Sequence, residues 1–427
     1  MRVWLFEIGE PLPLSPEVRT MRAGILAQEL VSRGHEVHWW VSAFEHQRRI
    51  MQFGFDQEIQ TPDGIHLHIL KGCGYKRNIS LRRYIDHKII ASKFRRASEH
   101  LPRPDVIVTA TPCYHLAYEA VRYAKANGIP SIVDVEDLWP DIFIDHLPSH
   151  VLKHIGGKLL SRDYKKVEYM FKNADSIVAV SNTYLLWGLN KAHRERSRNE
   201  KVFLLGYKPL IEGMGGKKDT EPVSSWLKER SDQKLFTFIG SFGYSYELDL
   251  LVKAARIFHG KDRICFVLAG AGEQYDEIKR KTRSLDNVVV PGWIGRSEIE
   301  ELLQTSHVGL LPYVEGAPQS IPNKPIEYLS SGLPIISSLG GEMAALVDTY
   351  RFGINYDPGN IDELCSSINL LADNSDLHRE MSSNARRFFM EYGDSDKIYS
   401  EYSMHVEEMS RIGQTRSNAL AGQGKMS

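Results

Sequence analysis

Two charged residues three positions apart, Lys324 and Glu327, stand at the start of a predicted short helix. Residues at this spacing share one side of a helix, so the ammonium and the carboxylate point the same way. Asn323 is the predicted N-cap, and Pro325 fits the first turn, where a missing N–H costs no helical hydrogen bond. Free N–H groups at a helix start bind anions. The pattern therefore predicts a receptor for a diphosphate and a ribose.

The residues around this helix predict the order strand, loop, helix, strand. An apolar run stops at Pro312, and the loop that follows contains Gly316 and Pro318. Gly332 and Pro334 end the helix before the next apolar run. An ordinary strand–helix–strand crossover with solvated charges is the alternative interpretation.

The stretch Ser320-x-Pro-Asn-Lys-x-x-Glu-Tyr-Leu-x-x-Gly-Leu-Pro resembles the donor-binding motif of the GT4 family of retaining glycosyltransferases, which have the GT-B fold. Many relatives carry two glutamates with seven residues between them. The second matches Glu327, and Gln319 stands at the first. The resemblance implies that Lys324 and the N–H groups around Ser320 and Ile321 hold a sugar-nucleotide diphosphate, while Glu327 binds the ribose.

Three further stretches of the second half resemble the same family. The glycine turn after a predicted strand begins at Gly240, and Ser241 and Tyr246 stand where relatives often have an arginine and a lysine. This departure places charge neutralisation on Lys324 and on backbone N–H groups. The other matches are a Gly-x-Gly loop, Gly270 and Gly272, and a nucleobase-binding strand end at Ile294.

In the first half, the segment Val133–Ile142 resembles the Asp-Leu-Trp-Pro motif of a GT4 branch that builds surface polysaccharides. Asp137 follows a predicted strand and is predicted to act in catalysis, with a helix-capping role as the alternative. Trp139 lies on the acceptor side or fills the core. Arg19 and Arg22 face phosphates or belong to a solvated helix face.

Strands and amphipathic helices alternate along the chain, which indicates an α/β fold. With the resemblance, this predicts the GT-B fold, two Rossmann-like doubly wound domains facing across a cleft. The signature Arg33-Gly-His-Glu-Val37 is common in the family, and His35 is predicted to be structural, at the helix end. The predicted boundaries are an acceptor domain at 1–205, a donor domain at 206–395 whose first part, 206–233, is a linker, a helix at 396–412 that crosses back to the first domain, and a disordered tail at 413–427.

The composition excludes several classes of protein. The chain has 427 residues and a net charge of −1, so it has no overall positive charge that would attract nucleic acid. The four cysteines are scattered, which indicates neither a zinc site nor a disulfide framework. No apolar run reaches the roughly 18–20 residues of a membrane span. We expect a cytoplasmic protein without a cofactor or metal.

Residues 71–96 carry nine Lys or Arg against one acid, Asp86. Apolar residues are interleaved with these cations at helical spacing. A basic amphipathic segment of this kind suits an anionic membrane surface and would make the protein peripheral at the cytoplasmic face. A solvated helix face that packs on the sheet is the alternative.

The sequence predicts a retaining, metal-independent glycosyltransferase of the hexosyltransferase type. The expected donor is a UDP-sugar, and the expected acceptor is a glycan or polyprenyl-linked hydroxyl in surface polysaccharide biosynthesis. Asp137, Lys324 and Glu327 are the predicted catalytic residues. A non-hydrolysing sugar-nucleotide epimerase and a catalytically silent GT-B subunit are the alternatives.

Overall fold

The computed structural model describes residues 1–14, 18, 20–77, 79–145, 147, 149–209, 227–261 and 263–423. The chain divides into two compact units, Met1–Phe203 with Lys397–Ser427, and Leu204–Asp396. Arg19, most of the predicted linker (210–226) and the end of the predicted tail (424–427) lie outside the described residues.

The first unit is built on an eight-stranded sheet in the order β10-β9-β8-β7-β1-β2-β6-β5. All neighbouring pairs are parallel except β5 and β6. The strands are β1 (Arg2–Phe6), β2 (Glu36–Ser42), β5 (Gln57–Gln60), β6 (His66–Leu70), β7 (Val106–Ala110), β8 (Ser131–Val135), β9 (Ser176–Ala179) and β10 (Lys201–Val202), and a separate hairpin pairs β3 (Phe44–Glu45) with β4 (Ile50–Met51). The α-helices are Arg22–Ser32, Leu81–Ala97, Tyr114–Asn127, Asp141–Asp145, His150–Leu159, Ser161–Asn173, Asn182–Ala192 and Ser395–Gln423, and a 3₁₀ turn covers Ser98–His100.

Helices cover both faces of this sheet, so its central strands are buried on both sides. Aromatic rings from strand and helix meet in the core. Phe6 lies 4.8 Å from the Phe94 ring, and Trp4 lies 5.5 Å from the Trp40 ring, centroid to centroid. Edge-to-face pairs of this kind add to the stabilisation that comes from buried area.

The last helix, Ser395–Gln423, packs within the first unit through buried polar contacts. The Tyr402 hydroxyl donates to Asp134 at 2.9 Å, and His405 Nε2 lies 2.8 Å from the Ser176 hydroxyl. Glu407 accepts from Arg33 at 2.8 Å and lies 2.9 Å from His35 Nε2. His35 is therefore structural as predicted, but it binds the last helix and does not cap its own.

The predicted disordered tail begins too early, because the last helix extends to Gln423. Once a helix is nucleated, each added residue gains a hydrogen bond at little cost, so a small and polar sequence is able to continue it. Within the described residues, no helix is both long enough and apolar enough to cross a membrane.

The second unit has a fully parallel six-stranded sheet in the order β13-β12-β11-β14-β15-β16. Its strands are β11 (Lys234–Ile239), β12 (Ile264–Ala269), β13 (Val288–Gly292), β14 (Val308–Leu311), β15 (Ile335–Ser337) and β16 (Gly353–Asn355). Its α-helices are Leu248–Ile257, Tyr275–Thr282, Arg296–Thr305, Asn323–Ser330, Gly341–Tyr350, Ile361–Asp373 and Ser375–Phe388, followed by a π-helical turn at Phe389–Gly393.

Each sheet has one point where the direction of strand addition reverses. In the first unit this point lies between β1 and β7, and in the second it lies between β11 and β14. Ligands of open α/β sheets bind beyond the carboxyl ends of the strands at such switch points. The residues that follow these four strands are therefore the first to consider for function.

Candidate functional site

Two glycine-containing turns lie side by side at the switch point of the second unit. The Gly240 N–H donates to Ala269 O at 2.9 Å, and the Phe242 N–H donates to Ala271 O at 2.8 Å. A Cβ on Gly270 would lie 1.7 Å from Gly240 O, and a Cβ on Gly272 would lie 2.7 Å from Phe242 N. Both glycines also have positive φ angles, 144° and 153°. The close approach of the two turns therefore requires glycine at 270 and 272.

Lys324 lies directly over the first of these turns. A Cβ on Gly240 would lie 2.4 Å from Lys324 Cε and 3.3 Å from its Nζ. The absence of a side chain at Gly240 thus makes room for the lysine. A helix start with an ammonium group beside an open backbone turn is suited to bind an anion.

Tyr328 fixes the helix that carries Lys324. Its hydroxyl accepts the N–H of Ile239 at 2.8 Å, at the end of β11. Its ring lies so close to β14 that a Cβ on Gly309 would come within 2.3 Å of it. The helix Asn323–Ser330 is therefore held against both strands of the switch point.

The predicted N-cap of this helix is wrong by one residue. Pro322 is the cap and Asn323 is the first helical residue, and the Pro322 side chain makes no capping hydrogen bond. Pro325 consequently occupies the third helical position. A capping side chain accepts a hydrogen bond from the N–H of the second or the third helical residue. Since proline has no N–H, a polar cap here would lose one of its partners.

The other predicted donor residues lie around this helix start. Glu327 is buried one turn after Lys324. The Ser320 hydroxyl donates to Glu342 at 3.1 Å. The Gln319 amide oxygen is buried, and the described residues supply no hydrogen bond to it. Ile321 and, at the end of β13, Ile294 belong to the hydrophobic core.

The positions that lack the usual cations differ from each other. Ser241 is exposed on the glycine turn. Tyr246 packs inward, with its ring 5.1 Å from that of Phe238 and its hydroxyl 3.3 Å from the Tyr313 hydroxyl. An arginine at Ser241 would have room, whereas a lysine at Tyr246 would have to replace part of the aromatic core.

The switch point of the first unit carries carboxyl groups. Glu7 and Glu10 follow β1, and Glu136 follows β8. Burial, reinforced by the charge of Glu10, raises the pKa of Glu7 to about 8. Burial also raises the pKa of Glu10 to about 7, although the N–H groups of Ala23 and Gly24 oppose the rise. The pKa of Glu136 is raised well above its ordinary value by burial and then by Glu7.

Sequence reasoning did not assign Glu7 and Glu10 to the site. The signal was two acids directly after the first apolar strand, Phe6-Glu-Ile-Gly-Glu. Within the described residues, no group of His, Cys, Asp or Glu side chains is arranged to hold a metal ion. Carboxyls with raised pKa values at a switch point are typical of groups that exchange protons or donate hydrogen bonds.

One of the two predictions for Arg22, a position on a solvated helix face, is wrong. Its guanidinium is buried and binds Asp134, with Nε 2.7 Å from Oδ2 and Nη2 3.1 Å from Oδ1. Its Nη1 also donates to the carbonyl oxygen of Phe203 at 2.8 Å. The side chain therefore compensates a buried carboxylate, an arrangement whose loss on one side is strongly destabilising.

Asp137 and Trp139 have different environments. Asp137 follows β8, its carboxylate accepts the N–H of Leu138 at 2.8 Å, and burial raises its pKa. The helix that follows begins at Asp141, so Asp137 is not its N-cap. Trp139 is buried, and the Arg83 guanidinium lies 4.3 Å from its ring centroid. The structure thus places Trp139 in the core of the first unit.

The basic segment 71–96 is only partly available to a membrane. Its helix, Leu81–Ala97, buries Arg83, Asp86, Ile90 and Phe94. The apolar spacing that indicated a lipid-facing side mainly reflects packing on the sheet. Leu81 and Ile85, in the first two turns, remain exposed.

Two family models match the chain. The model described as "Glycosyl transferases group 1" matches residues 221–388, and the model described as "Glycosyltransferase Family 4" matches residues 22–185. The two matches together cover most of the chain. Each lies mainly within one of the two units.

Two curated proteins illustrate the similarity. An uncharacterized glycosyltransferase of Haemophilus influenzae is 28% identical over 138 residues, 32% of this chain and 38% of that protein. A UDP-N-acetylglucosamine–N-acetylmuramyl-(pentapeptide) pyrophosphoryl-undecaprenol N-acetylglucosamine transferase of Ruminiclostridium cellulolyticum is 24% identical over 180 residues, 41% of this chain and 46% of that protein. The chain thus matches less than half the length of either relative.

Solved structures agree over almost the whole chain. HepE of Anabaena in complex with UDP superposes with a TM-score of 0.64 at 13% identity, covering 95% of this chain and 99% of that one. WaaG, a glycosyltransferase involved in lipopolysaccharide biosynthesis, superposes with a TM-score of 0.60 at 12% identity over the same shares. This likeness confirms the predicted α/β fold of two Rossmann-like domains, GT-B. The two family models, which together match most of the chain, show that it belongs to the GT4-type glycosyltransferases.

Proposed function

We propose that this protein is a retaining glycosyltransferase that moves a sugar from a UDP-sugar to a hydroxyl of a glycan or polyprenyl-linked acceptor in surface polysaccharide biosynthesis. One observation carries the proposal. Lys324 lies against the Gly240 turn at the switch point of the second unit, with Glu327 buried one turn on. A cation and a carboxylate at the start of a helix beside a switch point are suited to bind a nucleotide diphosphate.

In this proposal, the Lys324 ammonium and the N–H groups near Ser320 and Ile321 bind the diphosphate. Glu327 accepts hydrogen bonds from the ribose hydroxyls, and the nucleobase lies by the end of β13 near Ile294. The buried Gln319 amide oxygen is an acceptor suited to a sugar hydroxyl. UDP is the favoured carrier, since HepE was solved with UDP and the Ruminiclostridium relative is named for a UDP-sugar.

The proposed reaction needs no covalent nucleophile. The acceptor hydroxyl attacks the anomeric carbon on the face that the diphosphate leaves, and the departing diphosphate takes the hydroxyl proton. Negative charge grows on the diphosphate as the glycosidic bond breaks, so Lys324 stabilises the transition state more than the bound donor. The lysine supplies the charge that a divalent ion would supply in a metal-dependent site.

The acceptor side of the proposal rests on the first unit. Asp137 and the carboxyls of Glu7, Glu10 and Glu136 lie beyond the ends of β1 and β8. Carboxyl groups suit hydrogen bonding to sugar hydroxyls. A polyprenyl-linked acceptor would place the enzyme at the cytoplasmic face of a membrane. The name of the Ruminiclostridium relative includes an acceptor of this kind, a pyrophosphoryl-undecaprenol.

A panel of UDP- and GDP-sugars tests the proposal, with NMR to follow the anomeric configuration. We expect slow hydrolysis or transfer from one UDP-sugar with the configuration of the donor kept in the product. Interconversion of sugar epimers would instead support an epimerase. Binding without turnover for every donor and acceptor tried would support a silent subunit.

A further inference from the structure

Helix His150–Leu159, in the first unit, exposes four large apolar side chains. The exposed fractions are 69% for Val151, 44% for Leu152, 48% for Ile155 and 77% for Leu159. At 100° per residue, these four positions fall within an arc of about 100°, so they form one face. Surface helices of globular proteins normally turn such a face to the core. This one faces outward.

The buried side of this helix is defined by Gly156. A Cβ there would lie 2.8 Å from Ile144 Cδ1 and 3.0 Å from Leu147 Cδ1. The helix is therefore packed on the residues before it through a glycine side. Its four large apolar residues are left without a partner among the described residues that would bury them.

A second exposed apolar face lies on helix Leu81–Ala97, also in the first unit. Leu81 is 74% exposed and Ile85 43% exposed, one turn apart on helix Leu81–Ala97. Between them, Tyr84 donates its hydroxyl to Asp163 at 3.1 Å. Asp163 lies four residues after Leu159. This hydrogen bond joins the start of helix Leu81–Ala97 to the helix that follows Leu159. We name the exposed apolar side chains of helices Leu81–Ala97 and His150–Leu159 together the apolar patch: Leu81, Ile85, Val151, Leu152, Ile155 and Leu159.

The rim of the apolar patch is basic. Residues 149–165 contain Lys153, Lys158, Arg162 and Lys165, and their single acid, Asp163, is buried. The whole chain has a net charge of −1, so this positive charge is local. A second copy docking symmetrically would bring two basic rims together, which disfavours self-association. An anionic surface with an apolar interior complements both the rim and the patch.

We propose that the apolar patch docks the first unit on the surface of an anionic lipid bilayer. Val151, Leu152, Ile155 and Leu159 enter the boundary between headgroups and acyl chains, and the surrounding cations bind acidic headgroups. The anchor is thus mainly the helix His150–Leu159, with only the start of segment 71–96 taking part. The inference does not depend on donor chemistry.

Vesicle co-sedimentation without nucleotide tests this. The full chain should bind phosphatidylcholine vesicles that contain phosphatidylglycerol, more weakly as salt rises, and should bind pure phosphatidylcholine poorly. The double variant Val151→Ser/Leu159→Ser should bind at least about tenfold more weakly. Ile257→Ser/Met390→Ser, which removes two exposed apolar side chains of the second unit, should bind like the parent.

A series of charge variants tests whether binding depends on the cations near the apolar patch or on the overall positive charge of the protein. Lys158→Gln/Arg162→Gln/Lys165→Gln should weaken binding about fivefold for each cation near the surface. A triple variant with the same change of charge at exposed positions of the second unit, Lys228, Lys253 and Arg283, should bind like the parent. Equal loss in both triple variants would overturn the assigned surface.

Two other outcomes also overturn the proposal. One is a parent protein that fails to bind anionic vesicles at low salt. The other is a dimer in analytical ultracentrifugation that Val151→Ser/Leu159→Ser dissociates, because the patch would then belong to a second copy. Unchanged thermal unfolding of each variant ensures that lost binding reflects the surface and not the fold.

Discussion

β1 and β11 hold the same position in their sheets, next to the switch point, yet the residues that follow them differ in charge. Glu7 and Glu10 follow β1, with Glu136 nearby at the end of β8. Gly240 follows β11, and Lys324 lies over it. One topology therefore presents carboxyls in the first unit and a cation with bare backbone in the second.

The helix starts near these strands differ in the same way. In the first unit, Glu10 accepts the N–H groups of Ala23 and Gly24 at 2.7 and 3.0 Å, so a carboxylate already satisfies the start of that helix. In the second unit, the N-cap of the helix that carries Lys324 is Pro322, whose side chain makes no capping hydrogen bond. An anion would have to displace Glu10 in the first unit, whereas no N-cap side chain competes with it in the second. This difference favours the second unit as the diphosphate site.

The largest expected effect comes from closing the space between the two glycine turns. In Gly270→Ala, the new Cβ overlaps Gly240 O in a backbone conformation that alanine resists, so we expect the second unit to lose about 3 kcal/mol or more and donor binding to disappear. Gly260→Ala is the matched control, because it has a positive φ of 76° but open space around it. Urea unfolding and UDP calorimetry measure both. Equal losses in the two variants would mean that backbone strain, not close approach, explains the glycine.

Removing the cation should affect turnover more than binding. We expect Lys324→Ala to lower the rate by about 10²-fold or more, since charge on the leaving diphosphate is greatest in the transition state. Ser241→Arg in the same chain should restore part of the rate, because Ser241 is exposed on the adjacent turn. Lys253→Ala, an exposed lysine of the same unit, serves as control. Full activity of Lys324→Ala would place the phosphate site elsewhere.

The sequence predicted local patterns better than long-range pairing. β8 and β12 each coincide with a short, largely apolar run of the sequence, a local pattern that suffices to define a buried strand. The buried pairing of Arg22 could not be predicted, because its partner, Asp134, lies 112 positions away and no local pattern reveals it. The segment 71–96 looked amphipathic, but periodicity alone does not say whether an apolar face meets the sheet or the solvent.

The candidate site shows the same limit. The motif around Lys324 and Glu327 could be found because its residues are close in the sequence. The placement of Lys324 over Gly240, 84 positions earlier, depends on strand order, as does the meeting of Glu7 with Glu136. Helix His150–Leu159 was missed for another reason, since its exposed apolar face can be recognised only once the core is known.

A smaller effect should follow from neutralising Glu327. Glu327→Gln keeps the size of the side chain but replaces charge-assisted hydrogen bonds to the ribose with neutral ones, which are about half as strong. We expect UDP-sugar affinity to fall by about tenfold with an unchanged thermal midpoint. Calorimetry is done with the UDP-sugar and with inorganic pyrophosphate, which has no ribose. The comparison separates the ribose contact from the phosphate contact. Unaltered affinity for the UDP-sugar would refute the role given to Glu327.

The last prediction tests the carboxyls of the first unit through pH. The pKa of Glu7 is about 8 in the folded protein against an ordinary value of 4.5, so the folded state keeps a proton that the unfolded state releases. Stability contributed by this proton is full below about pH 4.5 and is lost as pH rises through about 8. Glu7→Gln does not titrate. It should therefore gain on the parent as pH rises across this window, by about 1.4 kcal/mol for each pH unit in which only the folded parent keeps the proton.

Other titrating groups also change the stability with pH, and comparing the variant with the parent removes their contributions. Burial lowers the pKa values of His68 and His405 to about 4, so these groups make unfolding easier as pH falls below their ordinary values. They are the same in both proteins and cancel in the difference. Urea unfolding at the two ends of the window measures that difference, with Glu229→Gln, at an exposed position of the second unit, as control. The free energies of unfolding of the parent and of Glu7→Gln could instead change in parallel with pH. Glu7 would then be ionised throughout the window, and the two switch points would differ in the position of their charged groups but not in protonation.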